Sequence, residues 1–295
     1  MAGQKDAVRG INRVGIARKC KDYLAHPLSL LLFLLVTLAA VITVFVLFYI
    51  IVYILAKGVP YLTPSLFELT YTSENVSLFP AIVTTVQMTF LSLLIAAPLG
   101  IFTAVYLVEY AKRGNKVVEL VRITSETLSG IPSIVYGLFG MLFFVTALHW
   151  SFSLIAGACT LAIMILPLIM RTTEEALKSV PDSFREASFG LGAGKLRTVF
   201  KIVLPSAVPG ILAGIILAIG RIVGETAALI YTAGTVAQIP GSLMASGRTL
   251  AIHMYVLSSE GLHTNEAYAT AVVLLVTVLL INTLSAVIAK RLTKG

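Results

Sequence analysis

The chain has 295 residues, of which 58% are hydrophobic and 12% charged, and its formal net charge is +8. A soluble domain carries about 25% charged residues, and no single aqueous core buries this much apolar side chain, so a soluble globular enzyme is excluded and lipid is the natural solvent. A nucleic-acid footprint is excluded too, because the basic residues lie in short segments between apolar runs, where they read as a topology signal beside anionic membrane lipid.

Residues 1–27 carry Lys5, Arg9, Arg13, Arg18, Lys19 and Lys21 ahead of an uncharged run over 28–56. That run exceeds the core of about 7–15 residues in a cleavable signal, so it reads as an uncleaved first span behind a basic cytoplasmic tail. Further runs without Asp, Glu, Lys or Arg cover 75–108, 127–170, 202–220 and 267–289. A crossing takes roughly 20 apolar residues. The stretch 127–170 would be about 66 Å long as one helix, so it is expected to cross twice, reversing near His149, Trp150 and Ser151. The predicted fold is all-α, a bundle of about six transmembrane helices over 28–56, 78–107, 128–148, 152–170, 207–231 and 266–289. These make up one transmembrane domain, 28–295. The segment 232–265 opens with an uncharged stretch that contains Gly234, Gln238, Pro240, Gly241, Ser242 and Ser246. A further crossing there would put the basic C-terminus outside, so it is assigned to the external side, with room for a re-entrant turn.

Counting Lys and Arg places six in 1–27, four in 109–127, six in 171–201 and three at the C-terminus, against only Lys57 and Arg248 in the other loops. Both termini and the two even loops are therefore expected in the cytoplasm, with the chain multi-pass in the plasma membrane. Cys20 and Cys159 fall at different depths and offer no disulfide, and His26, His149, His253 and His263 lack ligand spacing, so no metal is expected.

The most informative loop is 172–205. Pro181, Asp182 and Ser183 start a short helix that ends in Gly190, Gly192 and Gly194, and a second helix carries Leu196, Val199, Phe200 and Val203 on one side before Pro205 marks re-entry into the membrane. An exposed helix-turn-helix on a bundle with little other cytosolic surface suits a partner's groove. The run Gly190 to Leu196 fails the P-loop pattern, with one residue too few before Lys195 and no Ser or Thr after it, so any ATP hydrolysis belongs to a partner.

Here Glu186, Ala187 and Ser188, then Gly192, then Ile202, Val203, Leu204 and Pro205 resemble the EAA loop of ABC-importer permeases, with Ser188 in place of the second alanine. Ser129–Gly137 and 220–228 resemble the phosphate-permease subgroup, and Pro167–Leu177 is similar to its PstA-type subunit. The resemblance implies a type I importer fold, a coupling helix in a cleft of a cytoplasmic ATPase, and no cofactor in this chain itself, ATP–Mg being used by the ATPase. It also implies a homologous PstC-type permease subunit, two ATPase subunits and an external phosphate-binding protein. Sequence alone leaves a homodimer open.

Arg221 lies deep in the fifth predicted span, where a charge is costly and usually functional. Glu225, four residues on, shares its face, so the two can pair structurally, or Arg221 can face a phosphate anion with its planar fork. Thr226, Ser133 and Tyr136 can add hydroxyls, and Arg171 can act as an exit-side anion contact or snorkel to lipid phosphates. Sulfate or molybdate as cargo, and a phosphate-signalling scaffold, remain alternatives. A lipid-active membrane enzyme is not supported, because no catalytic grouping of His, Asp and Ser converges within the spans.

Overall fold

A computed structural model describes residues 26–112 and 114–292, which contain helices and loops but no strand. The chain divides into two units, 1–55 and 56–295. The basic tail expected over 1–27 lies outside the described residues apart from His26 and Pro27, and Cys20 lies outside them as well. Most of the first unit's described part belongs to one helix, α1 (Pro27–Gly58), whose apolar side chains point in every direction, as a helix surrounded by lipid requires.

The second unit begins with two 3-10 turns and then α2 (Phe79–Val105), which runs on as a π-helical turn, Tyr106–Tyr110. After a short loop come α3 (Lys116–Ser129) and α4 (Ser133–Gly140), the latter extended by a π-helical stretch, Met141–Ala147. Next are α5 (Leu154–Lys178), α6 (Asp182–Gly190) and α7 (Lys195–Thr198). A π-helical turn, Val199–Val203, joins α7 without interruption to α8 (Leu204–Val223). The chain ends with α9 (Ala227–Ile230), α10 (Leu250–Glu260) and α11 (Thr264–Leu292).

Five helices are long and apolar enough to cross a membrane: Pro27–Tyr61, Phe79–Tyr110, Leu154–Lys178, Lys195–Val223 and Thr264–Arg291. The broken pair α3 and α4, bent by 104°, makes a sixth if it counts as one span. Within the second unit α2 packs along α5, α5 along α8, and α8 along α11. Small residues permit this. At Gly210 and Gly214 an added Cβ would run into Ala176 and Thr172, so α5 and α8 touch almost backbone to backbone. Those contacts run in opposite directions along the two helices and set Arg221 level with the middle of α5.

Two predicted spans need correction. The third does not run through 128–148. Pro132 has no N–H and forces its predecessor out of helical geometry, so α3 stops at Ser129 and the apolar half-span starts again at Ser133. The fifth does not reach 231, because α8 ends at Val223 with Gly224 as its cap. Residues beyond that cap turn back over the start of α5, where Leu154 and Ile155 donate to the carbonyls of Ala245 and Leu243. The expected reversal at His149–Ser151 is present, with His149 and Ser151 both at left-handed φ, 55° and 54°.

Candidate functional site

The deep site forms where two broken helices meet. Gly137 on α4 lies so close to Ala228 on α9 that no Cβ fits between them, and Gly140 is pressed in the same way against Thr160 and Thr232. This packing brings Tyr136 and Arg221 together, near enough for the guanidinium charge to act on the phenol. The Tyr136 hydroxyl donates to the Leu128 carbonyl at 2.7 Å. That carbonyl belongs to the last turn of α3, where the break at Pro132 removes helical donors, so Tyr136 fastens the bend. Ser133 sits half-buried in the first turn of α4.

Arg221 is half-buried in the last turn of α8, where the helix dipole favours a cation. It makes no hydrogen bond or ion pair with another described residue. The expected neighbour on its helix face, Glu225, lies past the helix end and is turned away. Its carboxylate accepts instead from the Ala228 N–H at 3.1 Å, capping α9. The pairing that a continuous helix would have allowed is therefore absent, since Gly224 ends the 3.6-residue repeat before it reaches Glu225. Thr226, half-buried, occupies the N-cap position of α9.

Arg171 stands about one and a half turns further toward the hairpin, paired with Glu175 at 3.3 Å, both side chains about two-thirds exposed. Such a pair contributes little stability. Beside it the nearly buried carboxylate of Glu174 receives Lys178 at 2.6 Å and Arg122 at 3.4 Å, tying α3 to α5.

The second part of the site is the hairpin of α6 and α7. Glu186 and Ala187 face outward, and Gly192 takes a left-handed φ of 79° at the tip with open space around it. Leu191, Phe184 and Phe189 leave an apolar, exposed tip. Ser188 points inward and shares a hydrogen bond of 2.8 Å with Thr198, locking the two helices together. An alanine there could not make that bond. Ile202, Leu204 and Pro205 lie on the unbroken rod of α7 and α8. Pro205 does not interrupt it, because the π-wound turn just before shifts the hydrogen-bond ladder ahead of the missing donor.

A family model described as the binding-protein-dependent transport system inner membrane component matches residues 96–295. The chain belongs to this family.

This permease is 39% identical over 224 residues to a protein of Bacillus subtilis named "Probable ABC transporter permease protein YqgI", a match covering 69% of this chain and 76% of that one. It is 38% identical over 218 residues to the "Phosphate transport system permease protein PstA" of Pasteurella multocida, covering 73% and 75%. With "Phosphate transport system permease protein PstA 1" of Mycobacterium tuberculosis the identity is 44% over 140 residues, 48% of this chain and 45% of the relative. Among solved structures, a chain of a bacterial ABC transporter involved in the import of alginate superposes with a TM-score of 0.68 at 18% identity, covering 94% of the permease and 99% of that chain. A chain of the inward-facing MetNI methionine transporter gives 0.57 at 22%, covering 73% and 94%. At these identities the structures establish the fold: the type I importer permease.

Several residues that shape the permease carry no sequence motif. Thr198, Glu109 and the Arg122–Glu174–Lys178 group are found only through their contacts. So is Arg248, 5% exposed and stacked 4.5 Å from the Tyr71 ring centroid, close to the fully buried His253. The charge count enters Arg248 simply as one of two basic residues in the external loops.

Proposed function

We propose that this permease is the membrane subunit of an ATP-driven importer of inorganic phosphate. The observation that carries the reading is Arg221, a half-buried guanidinium with no protein counter-ion among the described residues, at the end of a helix that stops midway along its neighbour. An unpaired cation at that depth is costly, and a transported anion would offset the cost. The planar fork suits phosphate oxygens. The relatives named as phosphate permeases support the choice of anion.

In this reading Arg221 contacts the anion and Thr226 and Ser133 lend hydroxyls. Tyr136 holds the bend near the arginine. Glu225 shapes the turn behind Arg221, and Arg171 acts at the inner exit. The hairpin residues Glu186, Ala187, Gly192 and Ile202 meet the cytoplasmic ATPase, while Ser188 keeps the hairpin rigid and Leu204 and Pro205 carry it into α8. The hairpin end, with both termini, faces the cytoplasm. Two ATPase subunits burn ATP–Mg, a PstC-type permease subunit completes the cavity, and an external binding protein delivers phosphate. ATP closure opens the shared cavity outward and hydrolysis returns it inward.

The test is uptake by cells lacking this chain, with and without the gene restored, for phosphate, sulfate and molybdate in parallel. Restoration of phosphate uptake alone is expected. Restored sulfate or molybdate uptake without phosphate would reassign the cargo, and no restored uptake would overturn the transport reading.

A further inference from the structure

The hairpin is joined by the chain to two bundle helices, α5 through a short link and α8 directly. No covalent connection joins it to α2. What binds α2 to it is Arg185, the residue before Glu186, which points inward and not toward the exposed tip. Its Nε donates to Glu109 Oε1 at 3.1 Å and its Nη2 to the same carboxylate oxygen at 2.7 Å. Nη2 also donates to the Leu177 carbonyl at 3.0 Å, while Nη1 donates to the Val180 carbonyl at 2.8 Å and to Asp182 Oδ1 at 3.2 Å. The planar fork thus grips α2 through Glu109, the carbonyls at the end of α5, and its own helix. The Arg185 side chain is 15% exposed and that of Glu109 8%.

A second contact repeats the connection one residue on. The Lys195 ammonium lies 5.2 Å from the Tyr110 ring centroid, so neighbouring residues of the π-helical turn of α2 reach one helix of the hairpin each. Apolar packing also fills this junction, with Leu107 against the cluster of Leu177, Val180, Val199 and Val203. Apolar contact is non-directional and lets helices slide, whereas a multidentate charged clamp fixes register.

We propose that the Arg185–Glu109 clamp is the coupling link that makes α2 move with the hairpin. Both residues are positioning residues that touch neither anion nor ATP. The inference rests on the importer reading above. Without the clamp, docking and ATP hydrolysis persist, but movement of the hairpin no longer carries α2, and through it α3 and the bend beside Arg221.

The experiment uses the full importer in proteoliposomes, in a background with Cys20 and Cys159 replaced by alanine, and measures uptake and ATP hydrolysis together. Glu109→Gln keeps size and an acceptor oxygen, and Arg185→Lys keeps charge but loses the fork. Each should cut uptake by about tenfold or more while hydrolysis stays within about twofold of wild type. In the Glu109→Cys, Arg185→Cys double variant, a bifunctional thiol cross-linker of about the length of the ion pair should restore uptake. A merely structural pair would instead lose uptake and hydrolysis together in the single variants.

Unchanged uptake in both single variants overturns the inference. So does loss of uptake and hydrolysis in equal proportion, failure of both single variants to assemble, or a cross-link that restores nothing. If the wild-type complex takes up none of phosphate, sulfate and molybdate, the importer reading fails and the inference with it. A transporting wild type with insensitive variants defeats the clamp alone.

Discussion

At the scale of single residues, Arg221 and Arg248 each lack a carboxylate partner among the described residues, and they differ in setting. Arg221 is half-buried at a helix end, so its donors remain open to a ligand. Replacing it with lysine keeps the charge and removes the fork. Phosphate uptake should fall by about tenfold or more, the worth of one lost charge-assisted hydrogen bond at ~1.5 kcal/mol, with normal accumulation by immunoblot. Near-normal uptake would take Arg221 out of the path. Arg248 is closed in: Nε and Nη2 have no partner, nor does either ring nitrogen of His253. Burial, with the Arg248 cation adding to it, lowers the His253 pKa from 6.5 to about 3, while the Val76 backbone opposes the shift without closing a hydrogen bond of normal geometry. The unfolded chain therefore takes up a proton that the folded chain refuses between about pH 6.5 and pH 3, and stability falls as pH drops through that window. The loss should approach ~2 kcal/mol by pH 5. His253→Phe should flatten the acid limb of a detergent melting curve, and an unchanged limb would disprove it. The sequence singles out Arg221 by depth, but an i, i+4 relation to Glu225 presumes a helix that Gly224 ends. His253 looks unremarkable in sequence because its neighbours Tyr71 and Arg248 are remote or lack any motif.

At the scale of elements, the same residue type plays opposite parts. Gly214 has Thr172 where its Cβ would be, whereas Gly192 has open space and a left-handed backbone. Gly214→Leu should therefore overpack the α5–α8 contact, costing roughly 1–3 kcal/mol and lowering the amount of folded protein. Gly192→Val should cost about 1–2 kcal/mol of local backbone strain, leave accumulation near normal, and still abolish uptake because the hairpin tip is reshaped. Fluorescence size-exclusion profiles beside uptake separate the two, and equal loss of protein in both would refute the distinction. The hairpin, its left-handed tip and the crossings longer than 20 residues were legible because they depend on local capping and on apolar length. The interruptions were not. Counting uncharged residues over 127–170 measures length and is blind to Pro132, and the π-wound turn that carries a helix through Pro205 has no compositional mark.

At the scale of the whole molecule, the asymmetry of charge predicts an orientation for the chain. With 19 of the 22 basic residues on one side by the expected topology, Lys116→Cys should be protected from a membrane-impermeant thiol reagent in intact cells and labelled in inverted vesicles. Labelling in intact cells would reverse the assignment and bring the hairpin outside, away from any cytoplasmic ATPase. The family was legible because its hairpin spacing is local in sequence. The clamp on α2 was not, since Glu109 and Arg185 are 76 positions apart and meet only after the bundle closes.

The unbroken rod from Lys195 to Val223 has a mechanical meaning of its own. Its tightest support is the pair of glycine contacts at Gly210 and Gly214, and that support is not at its centre. Roughly 25 Å of helix lie between the support and Lys195, and about 14 Å between it and Arg221, at 1.5 Å per residue. Pivoted there, the rod is a lever of unequal arms. A tilt that sweeps the hairpin end through about 4 Å moves the arginine by only about 2 Å, with the force at the short arm nearly doubled. A stroke of that size is enough to make or break hydrogen bonds to an anion while the guanidinium stays level with the middle of α5.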